Sequence, residues 1–280
     1  MNYFSFPLQE WTNTFVKEWF IPTFGPLFDT LADIIGLFLD SLTDLLLWVP
    51  PEVMTILIVF LAWRYAGKGV AVFSFLGLLY LGSVDLSNTD VWAAGMQTLA
   101  IVLTATFLAI IIGLPVGILS ARSNQVDRVV RPILDFMQTL PSFVYLIPTI
   151  LLFGIGGVPA VVATFIFATP PAVRLTNLGI RQVPTDVIEA AKAFGSTPMQ
   201  MLVKVQLPMA TSTIMAGINQ TIMLALSMAV IASMIGAPGL GSIVMSGISR
   251  VDVGLGLVGG LGIVVLAIIL DRITEGIGKK

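Results

Sequence analysis

The 280-residue chain contains no cysteine and no histidine, and only 11% of its residues are charged. The first two absences exclude disulfide frameworks, zinc or haem sites with their usual ligands, cysteine or serine–histidine nucleophiles, and histidine proton relays. An average soluble domain is about 25% charged. Because 56% of the residues are hydrophobic, too few polar side chains remain to cover a soluble surface, and the sequence predicts an integral membrane protein. The formal charge of −2 leaves no basic excess, so we expect no nucleic acid as a partner.

Long runs without charged residues define the membrane spans, since a helix needs about 20 apolar residues to cross a bilayer. We therefore predict an all-α, polytopic bundle with seven spans, over residues 52–66, 69–84, 92–120, 133–153, 158–173, 209–235 and 253–270. Residues 1–50 precede them as an external region and residues 51–89 hold two accessory spans. Residues 90–273 hold a core of five spans, and residues 274–280 form a cytoplasmic tail.

The basic residues predict the orientation, because cytoplasmic loops of membrane proteins are enriched in lysine and arginine. We place residues 64–68, 122–132, 174–208 and 271–280 on the cytoplasmic side. The inner side then holds twelve basic and six acidic residues, and the outer side holds two basic and ten acidic residues. This asymmetry predicts an external N-terminus and a cytoplasmic C-terminus, which an odd number of spans also requires.

The N-terminal region has the pattern of an amphipathic helix. At about 100° per residue, four acidic residues share one face: Asp29, Asp33, Asp40 and Asp44. Six apolar residues lie opposite: Leu31, Ile34, Ile35, Phe38, Leu42 and Leu45. Four carboxylates are costly inside a membrane, so we expect the helix to lie on the outer leaflet, with Pro50-Pro51 turning the chain inward. Packing against the other spans and docking of an external partner are alternative roles.

The cytoplasmic segment 174–208 has a helical pattern of its own. Pro184 and Asp186 suit a first helical turn, because proline has a fixed φ and an acidic side chain favours the helix dipole. Gly195 is typical of a helix C-terminus. Three apolar residues between them recur on one face: Ile188, Ala191 and Phe194.

A second helix start follows directly. Thr197 predicts an N-cap, Pro198 suits the first helical position, and Gln200 completes a capping box. This helix would continue to Leu207-Pro208, where the next span begins. We therefore predict two short helices joined at Gly195, which together could fit a groove on another protein and transmit rigid-body motion.

The spacing in this segment resembles the "EAA" loop of ABC importer permeases, whose pattern is E-A-A-x3-G-x9-I-x-L-P. The chain matches this pattern throughout, with Val205 in place of isoleucine as the one departure. In that family the loop forms the coupling helix, which sits in a cleft of the ATPase subunit. The resemblance implies that the ATPase-coupling residues here are Glu189, Ala190, Ala191, Gly195, Leu207 and Pro208.

Two longer stretches are similar to type I, binding-protein-dependent permeases for glycine betaine and proline betaine. They run from Asp135 to Pro148 and from Gly217 to Gly241. An acidic, apolar N-terminal extension is also a feature of that subgroup. The resemblance implies osmoprotectant import across a bacterial plasma membrane by two copies of this chain, two ABC ATPase subunits that bind ATP and magnesium, and one external substrate-binding protein. We expect the binding protein to be a separate chain, because the sequence ends shortly after its last predicted span.

The chain shows no energy source of its own. A P-loop needs G-x4-G-K-[ST], and neither Gly-Lys pair is followed by serine or threonine. Ion coupling would place an acidic or histidine side chain within a span, and the runs 136–173 and 205–249 contain none. Asp135 lies at the inner edge, where we expect it to cap a helix end or pair with Arg131. We predict that the chain is not an enzyme and holds no metal or cofactor.

The substrate path must then be lined by neutral groups. Pro141 and Pro148 interrupt the fourth span and free backbone carbonyls there. Side chains near that break and in the sixth span predict a path that does not hold a small zwitterion tightly: Met137, Gln138, Ser142, Phe143, Tyr145, Asn219, Thr221, Met223, Ser227 and Met228. Helix–helix hydrogen bonding and gap filling are the alternative role for each. None of the five tryptophans lies in this path, so we expect high-affinity capture of a quaternary ammonium elsewhere.

A glycine- and proline-rich turn follows the sixth span on the outer side. It contains Gly236, Pro238, Gly239 and Gly241. This composition predicts either a re-entrant gate loop or an ordinary turn. Two other function classes stay open for the whole chain. A passive channel or facilitator gives no role to the helices of residues 184–208. A structural membrane scaffold would carry no flux of solute. Within the importer class, choline, carnitine or an amino acid are alternative solutes.

Overall fold

A computed structural model describes residues 7–86 and 89–278 of the chain. Parts of the predicted regions lie outside the described residues: 1–6 of the N-terminal region, Ser87 and Asn88 of the accessory region, and Lys279 and Lys280 of the tail. The described residues form a helical bundle, as predicted. One small antiparallel ribbon was not predicted, and it pairs Asp85 with Asp90 and Leu86 with Thr89.

The α-helices of the described residues are α1 Leu8–Thr14, α2 Ile21–Trp48, α3 Pro51–Ala66, α4 Lys68–Ser83, α5 Val91–Arg122, α6 Asn124–Thr139, α7 Leu146–Phe153, α8 Gly157–Arg181, α9 Thr185–Ala193, α10 Pro198–Met201, α11 Leu207–Ile231, α12 Leu240–Arg250 and α13 Val253–Gly278. Short π-helical segments cover Phe15–Phe20 and Leu202–Gln206, and 3-10 turns cover Ser142–Tyr145 and Ala232–Ile235. The strands are β1 Asp85–Leu86 and β2 Thr89–Asp90.

Local side-chain chemistry accounts for several helix ends. The Asp90 side chain accepts a hydrogen bond from the Ala93 N–H at 3.1 Å and caps α5, and the Ser123 hydroxyl accepts one from the Val126 N–H at 3.4 Å and caps α6. Each bond satisfies one of the backbone donors left open at a helix N-terminus. Gly67 separates α3 from α4 with φ of +96°, a conformation that residues with a Cβ rarely adopt.

The N-terminal helix α2 is amphipathic, but its packed face differs from the predicted one. The four acidic side chains are exposed, as expected. The buried residues are Leu39 and Leu46, with Ile35 and Leu42 partly buried beside them. The other four residues of the predicted apolar face are exposed: Leu31, Ile34, Phe38 and Leu45. Packing against the bundle is therefore observed, through contacts of α2 with α5, α7 and α8.

The turn predicted at Pro50-Pro51 is present. The helical segment Leu8–Trp48 meets Pro51–Ala66 at an angle of 101°. Pro50 has an extended ψ of 141° and Pro51 occupies the first position of α3, where the missing N–H of proline costs nothing. The chain therefore turns from the α2 axis directly into the α3–α4 hairpin.

Four helical segments of the described residues are long and apolar enough to cross a membrane singly: Val91–Arg122, Gly157–Arg181, Pro198–Ile235 and Val253–Gly278. Two bent pairs are long and apolar enough only when their two parts are taken together. One joins Leu8–Trp48 to α3, and the other joins α6 to the segment Ser142–Phe153. Helix α4 has 16 residues, fewer than the roughly 20 that span a bilayer. The count of seven spans therefore stays a prediction.

The predicted fourth span over residues 133–153 is not one helix. Helix α6 and the segment Ser142–Phe153 are bent by 106° relative to each other. Pro141 accounts for the break, because proline lacks an N–H and holds the preceding residue, Leu140, in an extended conformation with ψ of 132°. The expectation that Pro148 also interrupts the span is wrong, since it lies in the first turn of α7.

The end of the chain contains one helix that was not predicted. Residues 236–239 turn the chain into α12, which packs against α13. Helix α13 continues beyond the predicted span end at residue 270, so the predicted tail is helical as far as residue 278. The bundle therefore ends in a hairpin of a short and a long helix.

Helices α5, α8 and α11 pack closely at the centre of the bundle because small residues lie where they cross. A Cβ on Gly117 would lie 2.6 Å from the Cβ of Thr176, and a Cβ on Gly217 would lie 2.9 Å from the Cβ of Leu175. Glycines at such positions let membrane helices approach backbone to backbone. This packing fixes α11, which carries half of the predicted path residues.

Two adjacent glycines of α13 test the packing of the α12–α13 hairpin. A Cβ on Gly259 would lie 3.0 Å from both the Leu240 oxygen and the Val244 nitrogen of α12. We expect Gly259→Ala to lower the free energy of unfolding by about 1–3 kcal/mol, the usual cost of overpacking. Thermal unfolding of the purified protein in detergent measures this effect.

Gly260 is the matched control, because no atom lies within 4 Å of a Cβ placed there. Gly260→Ala should leave the melting temperature unchanged or raise it slightly, since alanine favours helix more than glycine. Equal melting temperatures for the two variants would contradict the packing described for α12 and α13.

Candidate functional site

The turn after α9 is a rigid helix C-terminus. The Ser196 N–H donates to the Ala191 oxygen at 3.1 Å, and the Gly195 N–H donates to the Lys192 oxygen at 2.9 Å. These two bonds form a Schellman motif, which requires a residue with positive φ after the last helical residue. Gly195 meets that requirement with φ of +78°, and nothing lies within 4 Å of a Cβ placed there. Glycine at this position is therefore explained by the backbone conformation alone, since a side chain would meet no neighbouring atom.

The capping box predicted at Thr197 is present. The Thr197 hydroxyl accepts from the Gln200 N–H at 3.3 Å, and the Gln200 side chain accepts from the Thr197 N–H at 2.9 Å. The second helix is not a separate short helix, however. It continues through Leu202–Gln206 into α11, and Pro198–Ile235 forms one helical span. The π-helical segment lies just before Pro208, whose missing N–H breaks the regular bonding ladder there.

The predicted coupling residues divide into two groups. Glu189, Ala190 and Gly195 are exposed at the tip of the loop, and Ala191 is half-buried. Leu207 instead packs at the base of the loop, against a small hydrophobic cluster made of Ile180, Leu202, Ala210 and Ile214. Pro208 is exposed beside it. The first group therefore forms a surface, and the second attaches that surface to α8 and α11.

Phe194 does not lie on the packed face that its spacing predicts. Ile188 and Ala191 are half-buried, whereas the Phe194 side chain is 91% exposed at the tip of the loop. A large apolar side chain held outward on a rigid turn suits the centre of a protein interface. Sequence periodicity missed this residue, although an aromatic residue directly before a C-terminal glycine was a visible signal.

Tyr145 bridges the break in the predicted fourth span. Its hydroxyl donates to the Met137 backbone oxygen, and its ring packs edge-on against Phe167 with 6.0 Å between ring centroids. The hydrogen bond joins the end of α6 to the 3-10 turn before α7. Tyr145 is therefore a buried structural tie, and its hydroxyl is already used.

The other predicted path residues are split between the interior and the surface. Thr221 and Met228 are fully buried within the bundle, and this burial favours the alternative role of packing and gap filling. Met137, Ser142 and Asn219 are partly buried. Four residues are exposed on the 3-10 turn, on α11 or at the end of α6: Gln138, Phe143, Met223 and Ser227. The 3-10 turn contacts α11, so the structure brings the two predicted groups side by side.

The glycine- and proline-rich turn packs firmly against neighbouring elements. The Leu240 N–H donates to the buried Thr98 hydroxyl of α5 at 2.8 Å. The Gly156 N–H donates to the Ile235 oxygen at 3.0 Å, which joins the α7–α8 connection to the same turn. Gly236 and Gly239 have φ of +81° and +115°, so both glycines are needed by the backbone. The gate role stays a prediction.

Two ion-pair sites tie α6 to α8. Asp127 accepts from Arg131 at 2.8 Å and from the Asn177 amide at 2.7 Å. Asp135 pairs with Arg174 of α8. The expectation that Asp135 pairs with Arg131 is therefore wrong. Both carboxylates lie one helical turn from Arg131, but Asp135 pairs with Arg174 of α8, and Arg131 pairs with Asp127. Neither α6–α8 contact could be predicted from the sequence, since each partner is distant in the chain.

One polar contact lies between two of the long helices. The Asn219 amide of α11 donates to the Asp271 carboxylate of α13 at 2.7 Å. Asp271 was placed on the cytoplasmic side, outside the last predicted span, because the charge-free run ends just before it. The continuation of α13 to Gly278 brings its carboxylate back against α11.

Comparison with known proteins places these features in context. Residues 113–280 match the family described as "Binding-protein-dependent transport system inner membrane component". The chain is 50% identical over 273 residues to the glycine betaine/proline betaine transport system permease protein ProW of Escherichia coli (strain K12). The aligned region covers 98% of this chain and 75% of ProW. It is 50% identical over 274 residues to the glycine betaine transport system permease protein OpuAB of Bacillus subtilis (strain 168), covering 98% and 95%. A chain of the inward-facing MetNI methionine ABC transporter superposes with a TM-score of 0.60 at 26% identity, covering 65% of this chain and 92% of that chain.

Proposed function

Because the chain belongs to the family of inner-membrane components of binding-protein-dependent transport systems, we propose that it is the permease subunit of an ATP-driven importer for glycine betaine and proline betaine. The family and the type I ABC permease fold predicted from the sequence are confirmed. ProW is the permease of a glycine betaine/proline betaine system and OpuAB that of a glycine betaine system, and each aligns with 98% of the chain, which supports the choice of solute.

The observation that carries the proposal is the coupling turn. Glu189, Ala190 and Gly195 are exposed with Phe194 at the tip of a rigid loop, and the helix that follows is continuous with α11. A motor protein bound to this tip would move α11 directly. The arrangement suits a permease that receives energy from another chain, and it gives a purpose to a loop that a passive channel would not need.

The complete transporter contains two copies of this chain, two ATPase subunits and one external binding protein. ATP and magnesium bind to the ATPase subunits, and this chain holds no cofactor. Closure of the ATPase dimer moves the loop of residues 184–208, the spans rock, and the path opens outward to receive solute from the binding protein. Hydrolysis then restores the inward-facing state. Exposed Gln138, Phe143, Met223 and Ser227 line the path between the two copies, and the Gly236–Gly241 turn forms the outer gate.

The orientation follows the distribution of charge. The N-terminus lies outside, the C-terminus lies in the cytoplasm, and the coupling turn faces the ATP-containing side. Asp29, Asp33, Asp40 and Asp44 are exposed on α2, which suits a helix at the outer membrane surface. Its packed face against α5, α7 and α8 keeps it attached to the permease core.

Uptake into proteoliposomes tests the proposed function. The complex, with its ATPase and binding protein, should accumulate radiolabelled glycine betaine only when ATP is present in the compartment that contains the ATPase. Unlabelled proline betaine should compete, whereas choline, carnitine and proline should compete less. Solute flux without ATP would favour a passive facilitator, and stronger competition by choline or carnitine would reassign the solute.

Gly195→Glu tests the coupling turn. A long, charged side chain at the centre of the docking surface and a non-glycine residue at φ of +78° should weaken the interface by about 2 kcal/mol or more. Because 1.4 kcal/mol corresponds to about tenfold, we expect glycine betaine uptake to fall by at least about tenfold. ATP hydrolysis should no longer respond to the solute-loaded binding protein.

Gly195→Asn is the matched control, since asparagine tolerates positive φ and is small. It should retain most of the uptake. Both variants should elute from size-exclusion columns like the wild type, because nothing lies near a Cβ at this position. Uptake by Gly195→Glu at the wild-type rate would contradict the coupling role.

Single cysteines in this cysteine-free chain test the orientation. Ser41→Cys, on the exposed acidic face of α2, should react with a membrane-impermeant maleimide added outside intact cells. Gln125→Cys, exposed at the start of α6, should react only after the cells are opened. The reverse pattern would show that the proposed topology is inverted.

A further inference from the structure

Helix α12 ends in a tight turn that leads directly into α13. The Asp252 N–H donates to the Gly247 oxygen at 2.8 Å, and the Val251 N–H donates to the Ile248 oxygen at 3.2 Å. These two bonds form a Schellman motif in which Val251 occupies the position that glycine normally takes. The Asp252 side chain also accepts from the Leu255 N–H at 3.0 Å and caps α13. Hydrogen bonds from both helices therefore hold the turn in one conformation.

Val251 adopts a backbone conformation that disfavours its own side chain. Its φ is +54° and its ψ is +34°, in the left-handed region where a β-branched residue costs free energy relative to glycine. The side chain is 87% exposed, so packing within the chain offsets little of this cost. A strained residue with so few internal contacts points to a role outside the chain.

A polar groove lies beside this turn. Its volume is about 250 Å³, and its walls come from the β1–β2 ribbon, α12 and the start of α13. The polar residues of the lining are Thr89, Ser242, Ser246, Arg250 and Asp252. Surfaces that face lipid carry few such groups. An exposed apolar side chain next to a polar groove instead has the arrangement of a protein interface, which combines an apolar centre with a polar rim.

The groove also presents a cation on a predominantly acidic surface. In the proposed orientation the outer side carries ten acidic residues and two basic residues, Lys17 and Arg250. Arg250 forms no ion pair within residues 7–86 and 89–278, and the remaining residues include no aspartate or glutamate. A carboxylate of a partner is attracted at Arg250 and repelled by the acidic residues elsewhere, which fixes the register of docking.

We propose that Val251 and Arg250 anchor the external solute-binding protein of the transporter. Val251 enters an apolar pocket of that protein, and Arg250 pairs with a carboxylate on a docking face that is otherwise basic. The proposal rests on the proposed function and adds a contact surface to it. Helix α12 favours this partner, because its 11 residues join the proposed outer gate to the anchor over about 16 Å. A protein that delivers solute at the gate is therefore within reach of both.

Val251→Gly separates docking from stability. Glycine relieves the backbone strain, so the melting temperature of the purified chain in detergent should rise by about 2 °C. The same change removes the apolar anchor, so the Kd of the solute-loaded binding protein for the complete complex in nanodiscs should rise about tenfold. Val251→Ile keeps an apolar, β-branched side chain and should keep both wild-type values. A side chain with a purely structural role could not produce higher stability together with weaker docking.

Arg250→Gln tests the ionic contact. The Kd for the solute-loaded binding protein should rise several-fold at about 50 mM salt, and the difference from the wild type should largely disappear at about 500 mM, because salt screens exposed charges. Val264→Ala is the matched control for the apolar contact. Val264 is also exposed, but it lies about 16 Å of helical rise from Val253 along α13, within the membrane. Its Kd should equal that of the wild type.

The outcomes separate the two proposals. A wild-type Kd in Val251→Gly, in a transporter that accumulates glycine betaine normally, would overturn the anchor and leave the importer function intact. Loss of one permease copy from the Val251→Gly complex on size exclusion would show that the turn contacts the second copy, and the anchor would again be wrong. A wild-type complex that neither binds the solute-loaded protein nor accumulates glycine betaine would overturn the proposed function together with the anchor.

Discussion

The unbroken helical connection from the coupling turn into the membrane is the constraint on which the rest of the structure depends. Residues Pro198–Ile235 form one span, and the cluster around Leu202 and Ile214 fixes its base against α8. The Schellman turn at Gly195 and the capping box at Thr197 leave few soft torsions between α9 and this span. In the proposed mechanism, a displacement of the loop is therefore transmitted to α11 and to the side chains on its exposed face.

Charged residues are few, and their contacts hold the one broken element of the core in place. Asp127 accepts from Arg131 and Asn177, and Asp135 pairs with Arg174, so the cytoplasmic part of α6 is tied to α8. The Asp135–Arg174 pair is exposed and contributes at most about 1 kcal/mol, whereas the Asp127 side chain is only 14% exposed. The buried Tyr145 adds a hydrogen bond across the break. The bend of 106° between α6 and the segment Ser142–Phe153 thus has defined contacts on α6 and across the break, which make it a fixed feature of the fold.

Local signals predicted the structure best, and packing between distant elements limited the rest. The capping box at Thr197 and the glycine C-terminus at Gly195 depend on neighbouring residues alone, so the sequence was sufficient for both. The prediction of the packed face of α2 was wrong, because apolar side chains such as Ile34 and Phe38 are not driven inward where lipid replaces water as the surrounding medium. Phe194 was wrongly predicted to lie on a packed face with Ile188 and Ala191. Periodicity shows which residues share a helix face, but it does not show whether another element packs against that face.

Asp271 makes a polar contact that the charge pattern did not predict. The charge-free run from 253 to 270 ends just before this residue, yet α13 continues, and the Asn219 amide donates a hydrogen bond to the Asp271 carboxylate at 2.7 Å. Desolvating a carboxylate is costly unless donors compensate it. Asn219 and Arg272, whose Nε lies 3.6 Å from the Asp271 carboxylate, together stabilise the charge at this position.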